Sequence, residues 1–277
     1  MASIKELLSQ AKEILKKNSI DEIDANAEFL LAHVLNLSRG VVLSNQEREV
    51  GAEDAQKYFD FINKRLLGMP LAYITGTQDF CGHTFIVDSD VLVPRPETEE
   101  LVEISSSMLG KPKRILDMCT GSGCIACSMA MKYRSAQVTG VDNSMAALLT
   151  AEKNVKKFGL QNVELIYGDL FENIYGAFDL IITNPPYIPT GDLAGLSREV
   201  KEEPQAALDG GENGLDIITQ IILYAPDFLE TGGLLTMEYG INREREIEGL
   251  FDKNIWRSVE VKKDMFGIYR FVFAQKA

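Results

Sequence analysis

The strongest structural signal in this chain is the stretch Ile115-Leu116-Asp117-Met118-Cys119-Thr120-Gly121-Ser122-Gly123. Its first half is apolar, as in a buried strand, and its second half consists of small residues that open a helix. Glycines at such a turn let a ligand approach the backbone and meet the N–H groups of the helix start. The G-x-G spacing lacks the third glycine of the dinucleotide fingerprint. The loop therefore predicts a ligand-binding site but does not identify the ligand. A turn with a purely structural role is the alternative.

Around this stretch, predicted strands and helices alternate from residue 110 onward. The strands are predicted over 114–119, 137–142, 163–169, 178–184, 234–239, 259–263 and 268–274. The helices are predicted over 123–132, 144–158 and 214–229, and from about residue 243. Alternation is typical of a parallel sheet covered by helices, but the last two strands lack an intervening helix and should pair antiparallel. The predicted fold class is α/β, with a mostly parallel seven-stranded sheet.

The first 70 residues are predicted to form a small helical bundle. Ser3 and Glu6 have capping-box spacing, and apolar residues follow them at helical period. The same period recurs over about 22–36 and 52–67. Three short amphipathic helices can bury their apolar faces by packing against one another, so we predict a separate domain over 1–70.

A change of period separates this bundle from the α/β domain. Over 71–93 apolar and polar residues alternate, and Cys81-Gly82 predicts a hairpin turn. The prolines of Pro94-Arg95-Pro96 then force an extended segment, and Thr98 or a neighbour can cap the next helix. We predict that this hairpin links the bundle to an α/β domain over 94–277.

Two further strand ends place acidic residues beside the glycine-rich loop. Asp142 ends the next strand about 20 residues on, where a carboxylate can accept both ribose hydroxyls of an adenosine. The third strand ends in Gly168-Asp169-Leu170, which adds a second acid and an apolar side chain at the same edge of the sheet. Three strand ends are therefore predicted to converge on one nucleoside.

A second motif, Asn184-Pro185-Pro186-Tyr187, follows the fourth apolar strand. The prolines remove two N–H donors and leave backbone carbonyls that only accept, beside an Asn carbonyl and an aromatic ring. Such a pocket suits a planar NH2 group, because Asn184 and the Pro185 carbonyl can hold its protons while Tyr187 packs against its π-system. A rigid turn is the alternative for an isolated Asn-Pro-Pro, and the neighbouring nucleoside site disfavours it.

Together these motifs resemble the class I S-adenosylmethionine-dependent amino-group methyltransferases. The hairpin, the run Pro94-Arg95-Pro96-Glu97-Thr98-Glu99 and the segment 203–216 resemble one branch, the HemK (PrmC) family, and the resemblance covers nearly the whole chain. It implies methylation of the side-chain amide N5 of the glutamine in the Gly-Gly-Gln motif of peptide chain release factors. It also implies S-adenosyl-L-methionine as the donor and S-adenosyl-L-homocysteine as the product. We expect the bundle over 1–70 to dock the protein substrate.

The resemblance implies a role for each motif. The cofactor would be held by Cys119, Thr120, Gly121, Ser122, Gly123, Asp142, Asp169, Leu170 and Asn184. Catalysis and substrate binding would involve Asn184, Pro185, Pro186 and Tyr187, with no metal. Arg95 and Glu97 would either touch the substrate or brace the linker. In one departure, the family pattern usually opens its loop with glycine, whereas this chain has Cys119, whose Cβ is expected to shift the loop slightly.

Composition and charge narrow the class of partner. Of 277 residues, 45% are apolar and 25% charged, which excludes disordered, collagen-like and disulfide-scaffold classes. The net charge of −13 would repel a phosphate backbone and favour a basic protein. Four Cys, no charged-then-apolar leader and no apolar run near the roughly 20 residues of a bilayer span predict a cytoplasmic protein without membrane contact. We expect a monomer that binds release factors and makes no direct nucleic-acid contact.

Other functions stay open at this stage. A sister branch methylates a glutamine of a ribosomal protein, and N6-adenine methyltransferases use the same kind of Asn-Pro-Pro-Tyr pocket on an exocyclic amine. A non-enzymatic cofactor-binding or assembly protein is a third alternative, which the acceptor pocket disfavours. The spacing Cys119-x4-Cys124-x2-Cys127, with Cys81 elsewhere, also matches plant-type two-iron ferredoxins. The predicted helix around Cys124 and Cys127 disfavours a cluster, because cluster ligands lie on irregular loops.

Overall fold

Helices make up most of the first part of the chain, and strands alternate with helices in the rest. The computed structural model describes residues 2–277. Its strands are β1 (Ala2–Ser3), β2 (Glu49–Val50), β3 (Thr77–Phe80), β4 (His83–Ile86), β5 (Arg114–Met118), β6 (Gln137–Asp142), β7 (Val163–Tyr167), β8 (Phe178–Thr183), β9 (Leu229–Glu238), β10 (Trp256–Lys263) and β11 (Tyr269–Lys276). Its α-helices are α1 (Ile4–Lys17), α2 (Ile23–Leu35), α3 (Arg39–Ser44), α4 (Ala52–Leu66), α5 (Leu71–Thr75), α6 (Pro96–Met108), α7 (Cys124–Lys132), α8 (Met145–Phe158), α9 (Asp216–Tyr224) and α10 (Glu244–Gly249).

A seven-stranded sheet with the order β10-β11-β9-β8-β5-β6-β7 forms the centre of the second unit. The strands β5 to β9 pair in parallel, and β11 pairs antiparallel with both β9 and β10. The predicted mostly parallel sheet with its antiparallel last strand is therefore confirmed. The chain adds strands to one side of β5 and then returns to the other side. The loops after β5 and β8 consequently flank a topological switch point, where open α/β sheets place their ligands.

Both faces of the central strands β5 and β8 are covered, which is why these two strands are mostly apolar. Successive residues of β5 show the alternation: Ile115 belongs to one buried cluster, whereas Leu116 and Met118 belong to the other. Helices α6 and α7 cover the first face, and α9 and α10 cover the second. Because helices pack on both of its faces, the sheet is a rigid support for the loops at its edge.

The first unit ends at Gly76 and also includes Ser197–Glu202. The predicted capping box of α1 is confirmed, since the Ser3 hydroxyl accepts from the Glu6 N–H and the Glu6 carboxylate accepts from the Ser3 N–H. The prediction of three helices is incomplete, because the short helices α3 and α5 and the pair β1–β2 are also present. Helices of five or six residues are too short to show a helical period in the sequence.

The predicted hairpin forms between β3 and β4, and it belongs to the second unit, which begins at Thr77. Cys81 and Gly82 both have positive φ, +48° and +74°, as a two-residue turn matched to the strand twist requires. Residues 71–75 form the helix α5 rather than the extended segment predicted there. Pro70 precedes this helix, and Gly76, whose φ is +73°, follows it. Within residues 2–277 no helix is long and apolar enough to cross a bilayer.

Candidate active site

The loops that follow β5, β6, β7 and β8 border one cavity at the carboxyl edge of the sheet. The cavity has a volume of about 490 Å³, which lies within the range of small-molecule sites. The sequence-predicted residues that line it are Cys119, Thr120, Gly121, Ser122, Asp142, Asp169, Leu170, Asn184, Pro186 and Arg95. Four separate motifs of the sequence therefore meet in one place, at the switch point of the sheet.

The loop after β5 turns through left-handed backbone. Cys119, Gly121 and Gly123 have φ values of +58°, +55° and +74°. Glycine adopts this region freely, whereas a Cβ there costs about 1–2 kcal/mol, so Cys119 is strained. A Cβ added to Gly121 would meet no atom within 4 Å, so the backbone of this residue is open to an approaching ligand.

Asp142, at the end of β6, is oriented by backbone donors. Its Oδ2 accepts from the Gly121 N–H at 2.8 Å, and its Oδ1 accepts from the Ser144 N–H at 2.9 Å. Burial raises the pKa of Asp142, and these N–H groups oppose the rise. Each oxygen has a further lone pair, so the carboxylate can also accept from ligand hydroxyls. The arrangement fits a ribose whose two hydroxyls point at Asp142.

Asp117, inside β5, is a fully buried acid beneath the loop. Its Oδ2 accepts from the Thr120 hydroxyl at 2.5 Å and from the Ala126 N–H at 2.9 Å, while Oδ1 is one of the few buried side-chain atoms of residues 2–277 without a partner. Burial raises the pKa of Asp117 to about 7, and the charge of Asp142 adds to the rise. Below about pH 7, the protonated form of Asp117 therefore predominates in the folded state.

This shift predicts a pH-dependent effect of Asp117→Asn. An acid whose folded pKa exceeds its unfolded value binds more protons when folded, so it lowers the free energy of unfolding as pH rises from about 4 to 7, by up to ~1.4 kcal/mol per pH unit. Asparagine does not titrate, so the variant does not show this pH-dependent loss of unfolding free energy. Its melting temperature relative to the parent should therefore rise between pH 5 and pH 8 in thermal denaturation. A difference that does not change with pH would contradict the shift.

Asn184 presents one defined end of its amide. Asn184 lines the cavity, and its Nδ2 donates to the Thr98 hydroxyl oxygen at 3.0 Å. Because the NH2 end is engaged there, Oδ1 is the end that can accept from a ligand. The Tyr187 hydroxyl donates to Glu238 at 2.9 Å. This gives Tyr187 an anchoring contact that the sequence did not indicate.

A glycine-rich segment packs directly against this motif. The Ile188 N–H donates to the Leu208 carbonyl, and the Gly210 N–H donates to the Ile188 carbonyl. A Cβ added to Gly210 would lie 2.7 Å from the Tyr187 Cα, and one added to Gly214 would lie 2.3 Å from the Tyr187 carbonyl oxygen. Only glycine permits so close an approach, so this segment fixes the position of the motif backbone.

Gly214→Ala is expected to disturb both folding and the site. The residue has φ +71°, and its new methyl group would press on the Tyr187 carbonyl. We expect a loss of about 1–3 kcal/mol in unfolding free energy and, through displacement of the motif, a rate loss on the order of 10–100-fold. Denaturant titration and a methyl-transfer assay measure these two effects. Gly191→Ala, with no atom within 4 Å of its new Cβ, is the control and should match the parent.

Helix α6 begins earlier than predicted. Pro96 is its first helical residue and Arg95 occupies the cap position without a side-chain hydrogen bond, so the predicted cap at Thr98 or a residue next to it is wrong. Thr98 lies inside the helix, and its hydroxyl donates to Glu238 at 2.7 Å. Arg95 forms an ion pair with the buried Glu203 at 2.5 Å. Arg95 is therefore held by Glu203 and also lines the cavity, and its contact with a substrate stays a prediction.

The cysteines of the loop and α7 are free thiols. Cys124 and Cys127 lie on α7 and are buried among apolar side chains, as the helical prediction implied. Burial raises the pKa of the Cys127 thiol to about 12. In the described part of the chain, no group of three or more His, Cys, Asp or Glu side chains is arranged to hold a metal.

Curated relatives resemble this chain over almost its full length. A release factor glutamine methyltransferase of Geobacter sulfurreducens is 38% identical over 272 residues, covering 98% of this chain and 95% of the relative. The chain belongs to the release factor glutamine methyltransferase family. A second member, from Nitratidesulfovibrio vulgaris, is 36% identical over 282 residues, covering 99% of this chain and 96% of the relative. The predicted resemblance to the HemK (PrmC) family is confirmed.

Family models and solved structures agree with this membership. Residues 6–76 match the model described as the PrmC N-terminal domain, and residues 98–201 match the methyltransferase small domain. A Pyrococcus furiosus methyltransferase structure aligns with a TM-score of 0.53 at 20% identity, covering 69% of this chain and 87% of its own. A T. thermophilus 16S rRNA N2 G1207 methyltransferase, in complex with AdoMet and guanosine, aligns with a TM-score of 0.54 at 21% identity, covering 73% and 50%. These two structures share the fold of the release factor glutamine methyltransferase family member described above.

Four of the predicted site residues lie outside the cavity lining in the described part of this family member. They are Gly123, Pro185, Tyr187 and Glu97. Gly123 packs its backbone near Ala151, where an added Cβ would come within 3.1 Å. Two polar residues next to the site, Thr98 and Glu238, were not predicted to contribute to it. An acid at the end of the apolar strand Leu229–Glu238 was the available signal for Glu238.

Proposed function

We propose that this protein transfers a methyl group from S-adenosyl-L-methionine to the side-chain amide N5 of the glutamine in the Gly-Gly-Gln motif of peptide chain release factors. S-adenosyl-L-homocysteine would be the second product. The observation that supports this most strongly is that Asn184 lines the cavity beside the loop after β5 and has its NH2 end held by Thr98, which leaves its oxygen as the end that can accept from a substrate. The names of the family members point to the same substrate.

The proposed cofactor site uses the loop after β5 and the ends of β6 and β7. Asp142 would accept the ribose hydroxyls, Cys119 to Gly123 would border the cofactor with their backbone, and Asp169 with Leu170 would flank its base. The bound cofactor supplies an electrophilic methyl group on a sulfonium centre. The fit rests on the oriented Asp142 carboxylate, the open backbone at Gly121 and a cavity of about 490 Å³.

The proposed chemistry depends on acceptors rather than on a strong base. An amide nitrogen is a poor nucleophile, because its lone pair is delocalised into the carbonyl. Asn184 Oδ1 and the Pro185 carbonyl would hold its two protons, localise the lone pair and favour the positive charge that builds on nitrogen. Pro186 and Tyr187 would stiffen and anchor this arrangement. The methylated nitrogen then loses its extra proton to water or to a nearby acceptor.

Charge supports a protein substrate over a nucleic acid. Residues 1–70 carry a net charge of −2 and the rest of the chain about −11. Most of the negative charge therefore lies in the part of the chain that contains the cavity. Such a field favours a basic protein surface and opposes a phosphate backbone. We assign substrate docking to the N-terminal unit, and we place the protein in the cytoplasm as a monomer.

A side-by-side methyl-transfer assay tests this function. The acceptors are a purified release factor, a ribosomal protein fraction and naked DNA, each with labelled S-adenosyl-L-methionine. We expect label in the release factor alone. Transfer to a ribosomal protein would assign the chain to the sister activity, and transfer to DNA would overturn the proposal of a protein substrate.

A further inference from the structure

A buried carboxyl group, Glu238 at the end of β9, joins the two ends of the Asn184–Tyr187 motif. The residue is 1% exposed. Its Oε1 accepts from the Tyr187 hydroxyl at 2.9 Å, and its Oε2 accepts from the Thr98 hydroxyl at 2.7 Å. The Thr98 oxygen in turn accepts from Asn184 Nδ2 at 3.0 Å. Four side chains from β9, α6 and the loop after β8 therefore form one hydrogen-bonded chain.

The contacts of Glu238 give this chain a direction, because each carboxyl oxygen lies within hydrogen-bond distance of a different hydroxyl, that of Tyr187 or that of Thr98. In its ionised form Glu238 only accepts, so the Thr98 hydroxyl proton then points to Glu238. The Thr98 oxygen then offers a lone pair to Asn184, which must answer with its NH2 end. Because an amide has one donor end and one acceptor end, Asn184 Oδ1 is turned the other way.

The surroundings of Glu238 act on its ionisation in both directions. Burial raises the pKa of Glu238 and the charge of Glu97 adds to the rise, while the hydrogen bonds from Thr98 and Tyr187 and the charge of Arg270 oppose it. Burial and the neighbouring Glu238 charge also raise the pKa of Tyr187, so its phenol keeps its proton and donates. The Tyr187 hydroxyl therefore donates to Glu238, and the ionised carboxylate accepts from the Thr98 hydroxyl as well.

We propose that Glu238 is a positioning residue which, through Thr98, holds the Asn184 amide with its oxygen toward the substrate nitrogen. This inference rests on the proposed function. It explains why the site would accept an NH2 group as the methyl acceptor. An incoming NH2 group meets an acceptor. With the amide reversed, it would meet a second NH2 group and be repelled.

Glu238→Gln tests the direction of the chain at nearly constant shape. The new amide can donate to Thr98, which frees the Thr98 proton for Asn184 and favours the reversed amide. We expect kcat for release factor methylation to fall on the order of 10–100-fold, as for other residues that orient a group in contact with substrate. The Kd for S-adenosyl-L-methionine should change by less than about twofold, because Glu238 is not placed at the cofactor.

Two variants of Thr98 test the same hydrogen-bonded chain, one by removing the hydroxyl group and one by keeping it. Thr98→Val removes the hydroxyl and should lower kcat as Glu238→Gln does, whereas Thr98→Ser keeps it and should retain most of the parent kcat. The combined variant Glu238→Gln with Thr98→Val should be no slower than either single variant, since both interrupt the same chain.

Thr236→Val is the matched control. Thr236 on β9 accepts from the Ser105 hydroxyl of α6 at 2.9 Å, so it joins the same strand and helix without a link to Asn184. This variant should melt at a lower temperature and keep the parent kcat. A Glu238→Gln enzyme with parent kcat, a Thr98→Ser enzyme as slow as Thr98→Val, or multiplicative losses in the combined variant would overturn the inference.

The parent enzyme in the same assay separates this inference from the proposed function. If the parent does not methylate the release factor, the proposed function fails. The positioning role is then read from the Asn184 side-chain NH2 resonances by NMR, which need no turnover. Glu238→Gln should shift them and Thr236→Val should not. Unshifted resonances in Glu238→Gln would overturn the role of Glu238 whatever the substrate is.

Discussion

Asn184→Ala is expected to lower the rate of methyl transfer on the order of 10²–10³-fold, the usual cost of removing one preorganised hydrogen-bonding group from a reacting centre. The alanine cannot hold an N–H proton of the substrate amide or aim the nitrogen lone pair at the methyl group. Because the loss is confined to the reacting centre, it should appear in kcat under saturating release factor and S-adenosyl-L-methionine.

Cofactor binding and folding are the controls for this variant. Asn184 is only partly buried, and its side chain donates a hydrogen bond to Thr98. The melting temperature should therefore stay near that of the parent, and calorimetry should still detect S-adenosyl-L-methionine. A folded, cofactor-binding Asn184→Ala enzyme that turns over at the parent rate would show that the motif is not the substrate pocket.

Asp142→Ala is expected to weaken the binding of S-adenosyl-L-methionine by about 10²-fold or more. The carboxylate would accept two ribose hydroxyls, and hydrogen bonds to a charged group contribute roughly 1.5–3 kcal/mol each. The substitution also removes the acceptor of the Gly121 and Ser144 N–H groups, which loosens the loop in the same direction. Isothermal titration calorimetry with S-adenosyl-L-methionine measures the change in Kd.

Asp142→Asn separates the two contributions. Asparagine keeps one oxygen of the same shape but loses the charge, so its Kd should lie between those of the parent and the alanine variant. Both variants should leave the rate at saturating cofactor much less affected than Asn184→Ala does. An unchanged Kd in Asp142→Ala would place the nucleoside elsewhere.

Local patterns predicted the parts of the site that are close in sequence. Apolar strands followed by small or acidic residues indicated the loop after β5 and the position of Asp142, and the Asn184–Tyr187 motif was evident from its prolines. The turn at Cys81-Gly82 was predicted for the same reason, since its backbone requirement lies in two adjacent residues. These features follow from the conformational preferences of a few neighbouring residues.

The contacts of Thr98 could not be predicted in this way. Its sequence position after Pro96 is equally compatible with a helix cap, and its actual partner, Glu238, lies 140 residues further along the chain. The pairing depends on how α6 packs on β9, which no local period encodes. The left-handed backbone of Cys119 likewise became evident only in the structure, and it gives a physical reason for the glycine usual at this position in the family pattern.

Tandem mass spectrometry of a release factor after incubation with the enzyme and S-adenosyl-L-methionine tests the central proposal most directly. We predict one added methyl group on the side-chain amide of the glutamine in the Gly-Gly-Gln motif, and none when that glutamine is replaced by glutamate. A methyl group on any other residue, or an unmodified release factor in a reaction that methylates another acceptor, would contradict the proposed function.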